Sequence, residues 1–189
     1  QKERALALYE QNLGPDHIDT LGSKGNLSGI NYLMGRFDES LKITEEVLAK
    51  CRQVLPDGHP LTLDTMSNLA LGYDQRGRHA DGLKLKEEVL ARTKGMLPEG
   101  HPEVLKGKAG VAGGYMDAGR HDEAVKLFEE VLEAQKRVLP EGHPETCVVM
   151  NNLAMTYGEL NRHDEALKLY EEVLEAQKRV LPEGHPETF

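Results

Sequence analysis

The chain carries eight histidines in two strictly spaced sets. His17, His59, His101, His143 and His185 follow one another at one constant interval (59−17, 101−59, 143−101 and 185−143 all equal 42), and His79, His121 and His163 repeat it. Imidazole is the side chain best suited to hold zinc or to exchange a proton near neutral pH, and Asp-Glu after His121 and His163 would add carboxylates. A metal, however, needs ligands converging at about 2 Å. Equivalent residues on successive structural units lie at least one helix diameter apart, roughly 10 Å. The histidines therefore read as punctuation in a repeat, with no metal site and no cofactor expected. No Ser-His-Asp order, phosphate loop or HExxH motif is present, so the chain offers no candidate catalytic residue and is not expected to be an enzyme.

The two cysteines are far apart, without a C-x-x-C partner, which suits a reducing, cytoplasmic setting. Cys147 falls on an apolar stripe and is expected to be buried. Cys51 aligns with Thr93, Gln135 and Gln177 and is expected to be exposed.

Around the first histidine set the sequence reads LPDGHP at 55–60 and LPEGHP at 97–102, 139–144 and 181–186. A proline without an N–H ends a helix, glycine permits the reversal, and a second proline suits the first position of the next helix. Each segment is thus a stop, a turn and a start. Glu145 then sits where its charge meets the positive end of the helix dipole. At the second set, GRH or NRH precedes an acidic residue; in His163-Asp164-Glu165 the aspartate is expected to cap the helix.

Between these signals the apolar residues follow helical spacing. Cys147, Met150, Leu153, Ala154 and Tyr157 form one stripe; Ala124, Leu127, Phe128, Val131, Leu132, Val138 and Leu139 form another. The expected helices are 18–35, 38–55, 61–76, 80–97, 103–118, 122–139, 145–160 and 164–181, an A and a B helix per unit. Self-similarity at this period marks a solenoid whose units bury their apolar faces only by stacking. The chain is therefore read as one all-α array: 1–17 closes a preceding helix B, 18–59, 60–101, 102–143 and 144–185 are whole units, and 186–189 begins a fifth. Without an initiator methionine, it reads as part of a larger protein.

With 23 Lys and Arg against 32 Asp and Glu, the net charge of −9 repels a phosphate backbone, so no nucleic-acid partner is expected. No apolar run is long enough to span a bilayer, and no membrane association is expected. Pairs such as Lys126 with Glu130 and Glu133 with Arg137 read as a solvated wall, each contributing about 0.2–0.5 kcal/mol.

The stretch NNLAMTYGELNRHDEALKLYEEVLEAQKRVLPEGHPET at 151–188 resembles the 42-residue tetratricopeptide repeat found in kinesin light chains and in the sensor arrays of NACHT and NB-ARC type receptors. The matching positions include Asn68, Leu69, Ala70, Tyr73 and Arg78, and Asn152, Leu153, Ala154, Tyr157, Arg162, Ala166 and Tyr170. The resemblance covers essentially the whole chain. Two units depart from it: the helix B aromatic is Thr44 and Lys86, and the small alanine is Ser40 and Gly82, so looser packing is expected there. The resemblance implies a right-handed α-solenoid with A helices along a concave surface that binds a peptide or a segment of a partner protein.

Internal comparison points to the same helices. Residues 121–146 and 163–188 differ at only two of 26 positions, whereas 103–120 and 145–162 agree at only four of 18. Helix B has been copied and helix A varied. The residues expected on the binding face are Gly22, Gly25, Asn26 and Gly29; Asp64, Ser67, Asn68, Leu71 and Gln75; Lys106, Ala109, Gly113 and Met116; and Val148, Asn151, Asn152, Met155 and Glu159. In related arrays the asparagine in phase at 26, 68 and 152 holds the main chain of an extended peptide, a role an amide's donors and acceptor suit. Lys106 and Lys108 read as solvated charges, the alternative being a local positive spot for an acidic peptide.

The expected function is a protein-interaction scaffold, as the sensor part of a larger protein. Two alternatives stand beside it: a cargo adaptor of the kinesin light chain kind, and a spacer that self-associates end to end through Leu6, Leu8 and Leu13 at one end and the last B helix with Phe189 at the other.

Overall fold

The computed structural model describes residues 2–180. Phe189, His185 and the expected start of a fifth unit lie outside the described residues. The described part is helical throughout: α1 (Lys2–Leu13), α2 (Ile18–Leu33), α3 (Phe37–Val54), α4 (Pro60–Gln75), α5 (His79–Met96), α6 (Pro102–Asp117), α7 (His121–Val138), α8 (Pro144–Glu159) and α9 (His163–Val180). From α3 onward, each helix starts one residue before its expected position.

The first residue of each helix explains that offset. His17, His59, His101 and His143 are N-caps: each ring Nδ1 accepts the backbone N–H of Asp19, Leu61, Glu103 or Glu145 at 3.2–3.3 Å. Pro60, Pro102 and Pro144 occupy the first turn behind them, where no donor is missed. At the other junction the cap residues are Arg36 and Arg120, which make no side-chain cap bond. Asp122 and Asp164 thus stand inside the first turn and act on the helix dipole, not as caps. The reversals need a left-handed residue, supplied by Gly58 and Gly142 at one kind of junction and by Gly77, Gly119 and Asn161 at the other, all at positive φ.

The chain forms two compact units, Gln1–Arg92 and Thr93–Phe189, the division falling inside α5. In the second unit α6 packs on α7, α7 on α8 and α8 on α9. One continuous core runs through them, with Ala112, Ala124, Phe128, Val131 and Ala154 fully or almost fully buried. Val138, expected in that stripe, is instead exposed.

In the first unit, where α1 packs on α2, α2 on α3 and α3 on α4, the core divides in two. Leu21, Val47 and Cys51 form one cluster; Leu48, Met66, Leu69, Ala70 and Leu85 form the other. Cys51 is completely buried, the reverse of the sequence expectation. It stands on the inner stripe of the last turn of α3, where Leu61 of the next helix covers its cluster. Burial pushes its thiol pKa up, against a partial offset from a hydrogen bond with Thr65.

Both departures from the repeat stand in this unit. At the slot that Phe128 fills in the second unit, the first repeat has Thr44, whose hydroxyl joins those of Ser28 and Ser40 in a buried cluster at 2.6–2.9 Å. The second repeat has Lys86, whose Nζ meets Asp74 Oδ2 at 2.7 Å, largely screened from solvent. Gly82 makes room for that pair: a Cβ there would overlap the Asp74 carboxylate and approach the Ala70 carbonyl oxygen at 3.0 Å.

Alanine stands at this repeat position in Ala124 and Ala166, yet Gly82→Ala is expected to destabilise the fold by about 1 kcal/mol, overlap exceeding the gain in helix propensity. Gly25→Ala and Gly29→Ala, whose added methyls meet nothing within 4 Å, should each stabilise by about 0.5–1 kcal/mol. Chemical denaturation of the three variants checks the opposite signs.

Candidate functional site

The A helices α2, α4, α6 and α8 each bury one face and leave another in solvent. On α2 and α4, Asn26, Asp64, Ser67, Asn68, Leu71 and Gln75 are all exposed. On α6, Lys106 is exposed while Ala109, Gly113 and Met116 are half-buried, Ala109 and Met116 packing against the core. On α8, Met155 and Glu159 are exposed, and Asn151 and Asn152 half-buried. Among the accompanying positions, Gly29 and Val148 are exposed and Gly22 and Gly25 half-buried.

Two residues recur in phase. Leu71 is 58% exposed and Met155 51%, each one helical turn beyond an asparagine, Asn68 or Asn152. Among the described residues no internal partner is found for the amides of Asn26, Asn68 and Asn152. The Ser67 hydroxyl, by contrast, donates to the Leu63 carbonyl of its own helix at 2.9 Å. An apolar side chain beside an amide with both donors and its acceptor uncommitted can cover the side chain of an extended segment and bond its backbone.

Lys108 does not join this face. It is buried, with Nζ 3.3 Å from Glu99 and 3.2 Å from Glu130, so it forms no positive spot. Burial alone would lower its pKa; the two carboxylates outweigh that and raise it. Glu130 is thereby committed to α6. The expected Glu133 and Arg137 pair is present on the outer wall.

In the first unit α2, α3 and α4 enclose a pocket of about 260 Å³, with Gly25, Gly29, Tyr32, Phe37, Leu71 and Gln75 around it and Ser28, Ser40 and Thr44 among its lining residues. Sequence reading did not find it. The available signal was the small residues Ser40 and Thr44 at positions that hold alanine and an aromatic in the third and fourth repeats.

A second pattern escaped sequence reading: the guanidinium groups of Arg78, Arg120 and Arg162 lie 4.0, 4.1 and 4.2 Å from the ring centres of Tyr73, Tyr115 and Tyr157. The same arginines bind Asp81, Glu123 and Glu165 in the first turn of the following B helix. Stacking and ion pairing from one cation fix the angle between the helices of a unit. The tyrosine hydroxyls reach back one repeat, Tyr73 to Glu45 at 2.8 Å and Tyr157 to Glu129 at 2.5 Å. The recurrence of tyrosine and arginine five residues apart was the visible signal.

Comparison with known proteins agrees with this geometry. The family model described as Tetratricopeptide repeat matches residues 19–94 and 108–179. Among solved structures, nearly identical TPR-like repeats from a kinesin light chain type protein of Podosopora anserina superpose with a TM-score of 0.85 at 28% identity, covering 95% of this chain and 84% of that one. BtubC (BKLC) from P. vanneervenii gives a TM-score of 0.74 at 22% identity, with coverage of 97% and 71%. The apo form of RapI gives 0.77 at 14% identity, with 94% and 63%. The last two establish likeness of fold alone. No curated protein matches the chain.

Burial, then the hydrogen bond and charge of Glu129, push the Tyr157 phenol from 10 up to about 12. The folded state holds this proton more tightly than the unfolded state. The tyrosine's contribution is therefore fully present below pH 10 and is lost as pH rises from about 10 to about 12. Denaturation at successive alkaline pH values should show that decline, and Tyr157→Phe should make it smaller.

Proposed function

The chain belongs to the tetratricopeptide repeat family, and from that premise we propose that it is a non-catalytic protein-interaction scaffold that holds an extended peptide or partner segment on the surface of its A helices. The observation that carries this reading is the in-phase pairing of an uncommitted amide with an exposed apolar side chain, Asn68 with Leu71 on α4 and Asn152 with Met155 on α8. The other residues these two helices share, such as Leu69 and Leu153 or Ala70 and Ala154, are buried, so the amide and the apolar side chain after it are what recur toward solvent. The B helices instead carry ion pairs from one repeat to the next, including Arg52 with Glu88 and Lys136 with Glu172.

In the same reading, residues 18–185 act as one array of four units inside a larger protein, as a sensor or recognition segment in an aqueous, reducing compartment such as the cytoplasm. Cys51 and Cys147 are free and buried, as fits such a setting. Among the described residues no helix is long and apolar enough to cross a membrane.

A second reading, end-to-end self-association, rests on the apolar face of α9. Leu167, Tyr170 and Leu174 are exposed where their counterparts Val125, Phe128 and Leu132 are buried. A following A helix would cover the same face.

A peptide selected from an unbiased display library should bind the purified chain. Asn68→Ala and Asn152→Ala should each weaken it about ten-fold, the effect of removing one well-placed hydrogen bond. Glu171→Ala on the outer face of α9 should leave affinity unchanged. Affinity lost only through B-helix changes sinks the proposal, and association that rises with protein concentration without any ligand favours the second reading.

A further inference from the structure

The pocket of the first repeat is a core position left vacant. In register with Thr44 stand Phe128, whose ring is completely buried in the second unit, and Tyr170. Thr44 fills only the base of that space, and about 260 Å³ stays open above it. A cavity of about 150 Å³ is enough to hold a benzene ring.

The floor has a defined polarity. Ser28 Oγ donates to the Ser40 carbonyl at 2.8 Å, Thr44 Oγ1 donates to the same carbonyl at 2.9 Å, and Ser28 Oγ lies 2.9 Å from Ser40 Oγ and 2.6 Å from Thr44 Oγ1. These four contacts share only three hydroxyl hydrogens, so all three are held within the cluster and one contact is left without a hydrogen of its own. What remains on Ser40 Oγ and Thr44 Oγ1 is lone pairs, so the floor accepts hydrogen bonds and has none to give.

The rim is aromatic. Tyr32 and Phe37 meet edge to face with centroids 5.3 Å apart, at positions that hold Asp74, Met116 and Gly158, and His79, His121 and His163, in later repeats. Glycines at 25 and 29 leave the approach open, with nothing within 4 Å of where their side chains would begin.

We propose that this pocket receives the phenol ring of a tyrosine from a bound partner segment, the ring taking the space of the missing repeat aromatic and its hydroxyl donating to the Ser40 and Thr44 oxygens. The proposal rests on the interaction-scaffold reading for the source of the tyrosine, since the pocket adjoins Asn68 and Leu71. The preference over phenylalanine comes from the acceptor-only floor, which a hydrocarbon ring would leave unanswered.

The test is a titration of the isotope-labelled chain with p-cresol, toluene, N-acetyltyrosinamide and N-acetylphenylalaninamide, followed by the amide signals of Ser28, Thr44 and Gly72. Saturable shifts are expected with p-cresol and N-acetyltyrosinamide, and about five-fold weaker binding for each partner lacking the hydroxyl. Thr44→Phe should abolish binding by filling the pocket. Should that variant fail to fold, the near-isosteric Thr44→Val should keep toluene binding and reduce the preference for p-cresol. Equal affinity for tyrosine and phenylalanine derivatives, or no saturable shift from p-cresol, overturns the proposal; binding of p-cresol without N-acetyltyrosinamide overturns the side chain as its source. Loss of peptide binding at the A-helix face with p-cresol binding retained counts against the scaffold reading and leaves the pocket's specificity intact.

Discussion

Within each compact unit one constraint governs: a B helix has apolar surface on two sides, and its own A helix covers only one of them. The second side of α3 packs on α4, and that of α7 on α8. Phe128 meets that requirement inside the core that α7 shares with its neighbours, where burying such a ring contributes about 1.5–3 kcal/mol. Tyr170 stands at the same register on α9 and remains half in solvent, because no described helix follows. Stability in such an architecture belongs to the junctions between hairpins as much as to the hairpins themselves.

The polar residues serve the same constraint. A histidine N-cap and a proline behind it start each A helix after the first at a fixed residue, which lets the stripes of α4 and α8 meet α3 and α7 in register. At the other junction an arginine stacks on the last turn of helix A and pairs with the first turn of helix B. The tyrosine under that arginine then bonds a glutamate of the repeat before it. Caps fix where helices begin, and the tyrosine and arginine pairs fix the angle and the contact between repeats. That division explains why His143, Tyr157 and Arg162 recur at fixed spacing.

The period, the helix count and the inner stripes were legible because they are repeated in the sequence, and repetition makes a weak signal visible. The failures have specific causes. Cys51 was read as exposed because its counterparts are polar, yet Thr93 and Gln135 are themselves buried; polarity is a poor guide at a position covered by the next repeat. Lys108 read as a surface charge because its two carboxylates come from a turn and a neighbouring helix, outside its own periodicity. The aspartates after His121 and His163 read as caps because the helix start was placed one residue late. The pocket behind Leu71 was not legible, since a cavity is defined by side chains that are too small, and no single residue announces that.

The two imperfect repeats answer the loss of a core aromatic differently. Replacing a core aromatic by threonine or lysine costs hydrophobic burial, and the chain offsets that cost in two ways. In the second repeat Lys86 and Asp74 neutralise one another and Gly82 gives them room, so the gap closes around an ion pair. In the first, three hydroxyls bond among themselves and the gap stays open, with aromatic side chains moved from the floor to the rim. A hydroxyl cluster that satisfies its own donors is stable without a ligand, whereas unpaired charges in the same place would not be. A binding pocket can therefore arise in a repeat protein by subtraction: the stacking of neighbouring hairpins holds the walls in place, and one small residue at a copied core position opens the space between them.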